Sequence, residues 1–353
     1  MRSEPPGALA APPEPVQPGH PASHTAGPGI RVAALVGGKV REWTGEEAVA
    51  AIAKGGPADP TPKAANVWID LTEPDAAFVA RVAEVLGLHP LVAEDIVEGN
   101  QRGKIEATDG LIHVVLFVLG ASTDHVAQEV DIVLGDGFLL SSHPVEWDPR
   151  AGAHAKAGLE SLLRAGPDHL LWALFDQIVD GYFPFADRLE EVVDRLQNAV
   201  VDKPRRDTLE ELFALKRQLI AVRRAVSPVR EILNQLTNRE QGLIDPEEII
   251  YFRDIYDHVI RLTDELDTDR ELVAATVEIY LSTINNNLST IMKRLTGVTV
   301  ILAGAGAIAG IFGMSEAGLA FSGAEAGGFW AVTGLVVVLT AIAAIFLRRI
   351  DWI

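Results

Sequence analysis

The chain has 353 residues and a formal charge of −19 at pH 7, from 30 Lys and Arg against 49 Asp and Glu, and it contains no cysteine. The lack of cysteine excludes disulfides, thiolate zinc sites and a cysteine nucleophile, and the acidic balance argues against a nucleic-acid-binding protein, which would carry a basic face. A mean hydropathy of +0.19 beside 22% charged residues indicates a polar body joined to a strongly apolar part.

The first 28 residues are rich in proline. They hold eight prolines and no apolar run long enough for a signal peptide. A segment of this composition cannot bury enough apolar surface to offset the entropy lost on ordering. The composition therefore predicts a disordered cytoplasmic tail over residues 1–28.

Residues 29–143 mix two kinds of pattern. Short apolar or β-branched runs bounded by Gly, Asp and Pro are typical of strands, and they occur as IRVAALV, NVWIDL, GLIHVVLFVLG, QEVDIVLG and GFLLSSH. Between them, the segments PDAAFVARVAEVLGL and HPLVAEDIVEGN have the spacing of helices. The combination predicts a cytoplasmic α/β domain.

Residues 144–245 have an almost uninterrupted helical pattern. Glycine and proline mark its breaks, which predicts helices at about 146–165, 168–200 and 206–240. We expect these helices to form a cytoplasmic helical region that follows the α/β domain.

A further, much longer helix is predicted over residues 246–314. Apolar residues recur every three or four positions from Ile255 to Val298, with one interruption at Asp269. Such a stripe packs against other helices. With no Gly or Pro stop before Gly297, the pattern indicates a stalk of roughly 100 Å that continues into an apolar segment. Two helices broken near Gly297 are the alternative.

Two C-terminal segments carry no charge. Gly297–Met314 has 18 residues and Phe329–Leu347 has 19. As helices they would be roughly 27–29 Å long, about the hydrocarbon thickness of a bilayer. Buried core helices rarely run this long without a charge, so both segments are predicted to be transmembrane spans.

Charges beside the two spans indicate their orientation. Basic pairs precede the first span and follow the second, at Lys293–Arg294 and Arg348–Arg349, whereas the loop over residues 315–328 has no Lys or Arg. By the positive-inside rule this loop is external, and the basic tail 348–353 is cytoplasmic, as is the N-terminus. The pattern predicts a multi-pass protein of the cell membrane.

Several of these segments resemble the CorA family of divalent-cation channels in their order and spacing. The match covers roughly residues 30–353 and is strongest from YFRDIYDH to GIFGM and in the closing RRIDWI, with HPLVAEDIVEGNQRGKIE as a further matching segment. The resemblance implies a homopentamer in the lipid bilayer. Its expected parts are a cytoplasmic α/β funnel, five stalk helices that line the pore, and an outer ring of second spans.

The resemblance fails at the outer end of the first span. The family has Gly-Met-Asn at this point, and this chain has Gly313, Met314 and Ser315. Because Mg²⁺ loses water reluctantly, neutral oxygens that hydrogen-bond its hydration shell make a suitable filter. A serine hydroxyl has shorter reach than an amide and is a weaker acceptor. Glu316 either supplies a ring of five carboxylates here or is a solvated loop residue.

The resemblance also indicates pore-lining residues. These are Ser289, Met292, Leu295, Ala303, Gly306 and Gly310. Because Ala303 is small where the family often has a larger apolar residue, a constriction that closes by dewetting would depend on Met292 and Leu295. An ordinary helix–helix seam is the alternative for these two side chains.

Acidic residues are the predicted metal ligands. From Asp254 to Glu278 the chain carries eight acids against two arginines, and five such runs around an axis repel one another unless a cation lies between them. By resemblance, Glu94, Asp95, Asp254 and Asp257 form intersubunit sites, and Glu278 lies in the cytoplasmic part of the pore. Mg²⁺ is thus implied both as the regulating and as the transported ion, with Zn²⁺ or Co²⁺ possible.

Signatures of hydrolases, nucleotide-binding enzymes and dehydrogenases do not occur in the sequence, which predicts that the chain is not an enzyme. Three functions fit the pattern: a channel for hydrated Mg²⁺, also open to Co²⁺ or Ni²⁺; a relative of the zinc-transporting ZntB branch with proton coupling; and a pentameric cation sensor or scaffold that does not conduct. Ser315 keeps the second and third of these open.

Overall fold

The computed structural model describes most of the chain: residues 29–53, 66–108, 110–120, 127–156, 158–202, 204–238, 242–313, 325–350 and 352. The predicted tail over residues 1–28 lies outside this set. The chain divides into two compact units. The first extends to Pro184 and includes Ala221–Thr263, and the second comprises Phe185–Ile220 and the residues from Asp264 onward.

The described strands of the first unit form one seven-stranded sheet in the order β2-β1-β3-β7-β6-β5-β4, in which β3 and β7 are parallel and the other neighbours are antiparallel. Their bounds are β1 Gly29–Val36, β2 Lys39–Thr44, β3 Val67–Thr72, β4 Lys104–Thr108, β5 Leu111–Leu119, β6 Ala127–Gly135 and β7 Phe138–His143. All five predicted strands are present. The α/β class of this unit is therefore confirmed.

The two strands that the pattern analysis missed, β2 and β4, are the edges of the sheet. Their sequences KVREWT and KIEAT contain charged residues, and most of their side chains are exposed or half-buried. An edge strand has a neighbour on one side only and tolerates such residues. For that reason neither strand produces the apolar run by which a buried strand is recognised.

Three helices of the first unit, α1 (Gly45–Ala53), α2 (Ala76–Leu86) and α3 (Pro90–Glu98), contribute to a hydrophobic cluster with the sheet. Asp75 caps α2, because its carboxylate accepts the amide of Phe78 at 2.7 Å. His89 caps α3 in the same way through Nδ1, which accepts the amide of Leu91 at 3.2 Å. The His89 cap fixes the start of α3, the helix that carries two of the predicted metal ligands, Glu94 and Asp95.

The other helices are α4 Pro149–Lys156, α5 Leu159–Ala165, α6 Pro167–Asp180, α7 Phe183–Asp202, α8 Arg206–Asn238, α9 Ile249–Gly313 and α10 Glu325–Arg349. Two of the predicted helices, at 146–165 and 168–200, are each divided in two. The second division comes at Gly181 and Tyr182. Because Tyr182 is buried, the spacing of apolar residues continues through this point and does not indicate the end of a helix. Helix α9 is unbroken over 65 residues, so the alternative of a break near Gly297 is wrong.

A buried ionic network joins β3 to β7 in the first unit. The Asp70 carboxylate is fully buried; it accepts hydrogen bonds from Ser141 Oγ at 2.8 Å and His143 Nε2 at 3.0 Å, and it pairs with Arg31 at 3.1 Å. Burial alone would raise the pKa of Asp70. The hydrogen bond from His143 and the charges of His143 and Arg31 outweigh burial and hold that pKa below its usual value.

Candidate functional site

The C-terminal half of α9 is apolar and uncovered. Within the described residues, α9 is the one helix long and apolar enough to cross a membrane, and only 6% of its most apolar window is buried. Most of its large apolar side chains from Leu281 to Ile311 are exposed, with Leu295 59% and Leu302 67% accessible. A water-soluble helix would bury such a surface. The exposure indicates that lipid or other copies of the chain cover it.

The predicted pore-lining residues share one stripe of this surface. At about 100° per residue they fall within a sector of about 120°, centred on Met292 and Gly310. Each of these residues is exposed on the single chain: Ser289, Met292, Leu295, Ala303, Gly306 and Gly310. A Cβ added at Gly306 or Gly310 would meet nothing within 4 Å, so no intrachain contact requires glycine there.

The outer end of the predicted pore is only partly described. Gly313 is the last residue of α9. Met314, Ser315 and Glu316 lie outside the described residues, as do residues 317–324 of the predicted loop. Helix α10 contains the predicted second span and ends with Arg348 and Arg349.

The predicted metal ligands lie at the surface on two helices. Glu94 is exposed and Asp95 half-buried on α3, while Asp254 and Asp257 are exposed one turn apart on α9. Glu278 is exposed further along α9, in the second unit. The structure thus groups the first four residues as two pairs on helices of the first unit.

The structure also reveals a group that the sequence analysis did not identify. Asp95, Glu106 on β4 and His113 on β5 each offer a ligand atom, and these atoms all lie within 4.8 Å of one another. The Lys104 ammonium donates to Asp95 at 2.7 Å and to Glu106 at 3.1 Å. His113 is buried, and its Nε2 is 2.8 Å from Asp131 Oδ1. The sequence treats His113 as an isolated histidine, because only the register of the unpredicted strand β4 places Glu106 opposite it.

A further carboxyl beside this group indicates that the region is strongly electronegative. Burial raises the pKa of Glu129 to about 7, and the nearby charge of Asp131 adds to the effect. One oxygen of Glu129 accepts the amide of Gln101 at 2.8 Å, and the other is buried with no hydrogen-bond partner in the described parts of the chain. Such an environment favours a cation.

In the second unit, Asp269 takes an apolar position in the stripe of α9. It is only 7% exposed. Burial raises its pKa to about 6, with further contributions from the negative charges of Glu190, Glu265 and Asp194. Because the folded pKa is above the unfolded value, Asp269 costs stability above pH 6, and this cost disappears as the pH falls toward 4.

Replacing Asp269 with asparagine is expected to stabilise the protein at pH 7.5 by on the order of 2 kcal/mol, because the buried charge is removed. Thermal unfolding of the detergent-solubilised chain at pH 5 and pH 7.5 measures the effect. Wild type should gain stability at pH 5 relative to the variant. The exposed Asp264 provides the control Asp264→Asn, and an equal response of both variants would show that Asp269 has no special role.

Comparison with known proteins identifies the chain. The profile of a family described as "CorA-like Mg2+ transporter protein" matches residues 63–349. The cobalt/magnesium transport protein CorA of Thermotoga maritima is 33% identical over 256 residues, which cover 70% of this chain and 72% of that relative.

Solved structures with similar folds agree with this match. The complete CorA magnesium transporter of Methanocaldococcus jannaschii superposes with a TM-score of 0.76 at 22% identity, covering 92% of this chain and 98% of that one. The cytoplasmic domain of ZntB from Vibrio parahaemolyticus gives 0.55 at 14% identity, over 74% and 99% of the two chains. At these identities the likeness shows the fold alone: an α/β domain followed by a long C-terminal helix. The chain belongs to the CorA family of divalent-cation transporters, which are membrane proteins and not enzymes.

Proposed function

We propose that the chain assembles as a homopentamer in the cell membrane and forms a channel for hydrated Mg²⁺, with Co²⁺ and Ni²⁺ as further substrates. The observation that carries this proposal is helix α9, which runs without a break from an acidic, partly buried segment to an uncharged and exposed one. Within the part of the chain that the structure describes, nothing covers the exposed half. In five copies around an axis, the stripe centred on Met292 and Gly310 faces that axis and lines a pore.

The proposed topology has two spans. The first is the apolar end of α9 and the second is α10, whose exposed side chains include Val337, Ile342 and Phe346. The basic pair that ends α10 is then cytoplasmic, together with the N-terminus. Residues 315–328 form the external loop at the mouth of the pore.

Selectivity is proposed to reside at that mouth. Gly313 and Met314 match the family pattern, while Ser315 replaces its asparagine and Glu316 follows. Five serine hydroxyls form a wider and weaker ring of acceptors than five amides, and Glu316 adds negative charge beside them. We therefore expect this filter to admit hydrated divalent ions with less discrimination than an asparagine ring.

Regulation by internal Mg²⁺ is proposed to act through intersubunit carboxylates. Glu94, Asp254 and Asp257 are exposed on one chain, and carboxylate oxygens are the ligands that Mg²⁺ prefers. Mg²⁺ held between these groups and Asp95 of adjacent subunits favours the closed state, and its loss lets the carboxylates repel one another. Glu278 extends the same negative field into the inner part of the pore.

Ion uptake into proteoliposomes tests this proposal. Wild type should take up Mg²⁺, and Ser315→Asn should increase the preference for Mg²⁺ over Zn²⁺ by about tenfold, because an amide holds the hydration shell more firmly. Ser322→Asn introduces the same side chain elsewhere in the loop and should change nothing. Zn²⁺ uptake that needs a proton gradient, without Mg²⁺ uptake, would favour the ZntB-like function. No uptake by wild type together with Mg²⁺ uptake by Ser315→Asn would favour a sensor that does not conduct.

A further inference from the structure

We propose that each chain has its own site for a divalent transition metal, which shares Asp95 with the proposed sites between subunits but takes its other ligands from one chain. The site is formed by Asp95 on α3, Glu106 on β4 and His113 on β5, and we call it the intrachain site. Its three ligand atoms lie within 4.8 Å of one another. Glu106 and His113 are directly opposite in the β4–β5 ladder, so both side chains lie on the same face of the sheet.

The state of His113 is the strongest reason for this assignment. The side chain is only 2% exposed, and its Nε2 donates to Asp131 Oδ1 at 2.8 Å. That hydrogen bond leaves the lone pair on Nδ1, which is buried and has no hydrogen-bond partner among the residues that the structure describes. A histidine that ligates a metal through one nitrogen almost always donates its other N–H to a carboxylate or carbonyl. With Nδ1 as the proposed metal ligand, His113 and Asp131 would have this arrangement, and an unpartnered buried nitrogen is otherwise costly.

Lys104 indicates that the site attracts positive charge. Its ammonium contacts both Asp95, at 2.7 Å, and Glu106, at 3.1 Å. The lysine therefore supplies the cation that these two carboxylates require when no metal is bound. A metal ion that binds here displaces the Lys104 ammonium. Because the Lys104 side chain is partly exposed, the ammonium can move into solvent.

Space and ligand chemistry indicate the class of metal. A cavity of about 10 Å³, roughly enough for one water molecule, is lined by Glu106 and His113 but not by Asp95, which approaches the two ligand atoms from outside it. One imidazole and two carboxylates form a mixed nitrogen and oxygen site, which suits Zn²⁺ or Co²⁺, whereas Mg²⁺ prefers oxygen alone. The intrachain site is thus expected to prefer Zn²⁺ or Co²⁺ over Mg²⁺, because one of its ligands is a nitrogen.

This inference does not depend on the proposed transport activity, because it uses contacts within one chain. It does bear on regulation, because Asp95 is also a proposed intersubunit ligand. A transition metal on the intrachain site would hold Asp95 and withdraw it from Mg²⁺ at the subunit boundary. The two sites would then compete for one carboxylate.

Co²⁺ binding to the purified full-length protein in detergent tests the intrachain site. Equilibrium dialysis is performed without Mg²⁺, because Mg²⁺ between subunits would compete for Asp95, and visible absorption distinguishes nitrogen ligation from Co²⁺ held by oxygen alone. Wild type should bind one Co²⁺ per chain with the absorption of nitrogen ligation. His113→Gln and Glu106→Gln should each weaken binding at least about tenfold, and Lys104→Met should tighten it about tenfold because the competing ammonium is gone.

One control and the choice of an exposed ligand make the result specific. His89→Gln alters a neighbouring histidine that lines the same cavity but caps α3, and it should bind Co²⁺ as wild type does. Glu106 is exposed, so Glu106→Gln tests the site without removing a buried side chain. If His113→Gln and Glu106→Gln both bind Co²⁺ as tightly as wild type, the intrachain site does not exist. Ion uptake is measured separately, and its failure would not affect this conclusion.

Discussion

Replacing Met292 with asparagine is expected to raise Mg²⁺ leak through the closed channel by at least about tenfold. Met292 is 51% exposed on the single chain and lies at the centre of the proposed pore-lining stripe. In a pentamer, five such side chains form an apolar ring that closes the pore by excluding water. Asparagine offers hydrogen bonds to water at this point, and a barrier lowered by about 1.4 kcal/mol corresponds to a tenfold faster flux.

The measurement is Mg²⁺ flux from proteoliposomes that contain enough Mg²⁺ to close the wild-type channel. Val298→Asn is the matched control, because Val298 is also exposed on α9 but lies about 120° from the centre of the stripe. The control should leak no more than wild type. Equal leak through both variants would mean that Met292 does not face a pore.

Replacing Asp70 with alanine is expected to lower the free energy of unfolding of the first unit by about 3–5 kcal/mol. The change removes the acceptor of the hydrogen bonds from Ser141 and His143 and deprives Arg31 of its nearer carboxylate, 3.1 Å away in the sheet. Equilibrium unfolding in urea can be followed by tryptophan fluorescence, to which the buried Trp68 contributes; its indole donates to Ser141.

Asp148 provides the control for this prediction. It is an exposed acid 3.8 Å from the same Arg31, so Asp148→Ala should cost only about 1 kcal/mol. The low pKa of Asp70 adds a pH dependence. Its contribution is complete at neutral pH and is lost in acid, as the pH falls below the unfolded value of 3.8 toward the lower folded pKa. If Asp70→Ala and Asp148→Ala lower the free energy of unfolding equally, the buried Asp70 network does not contribute more to stability than an exposed ion pair.

The fold could be predicted where burial produces a regular pattern. The five inner strands are short, mostly buried apolar runs, helix α9 carries an apolar residue at every third or fourth position, and all of them are found. The edge strands β2 and β4 could not be predicted, because exposed strands need no such pattern. The division between α6 and α7 was missed because Tyr182, at the break, is as buried as a helical core residue.

The candidate sites differ in the same way: one follows from spacing within a single helix, and the other requires contacts between distant segments. The positions of Met292 and Gly310 on one helical stripe follow from sequence spacing alone. In contrast, the intrachain site depends on the register of β4, which pairs Glu106 with His113, and on the approach of Asp95 from a different element. No local pattern encodes either relation. Long-range contacts of this kind require the folded chain.

Copies of this chain, without any other protein, are expected to form a path for Mg²⁺ through the bilayer. Mg²⁺ uptake into liposomes that contain only the purified wild-type chain, followed with an indicator sealed inside, measures this directly. We expect uptake that saturates with external Mg²⁺ and slows as internal Mg²⁺ rises. Uptake no faster than into empty liposomes would mean that the chain alone forms no such path.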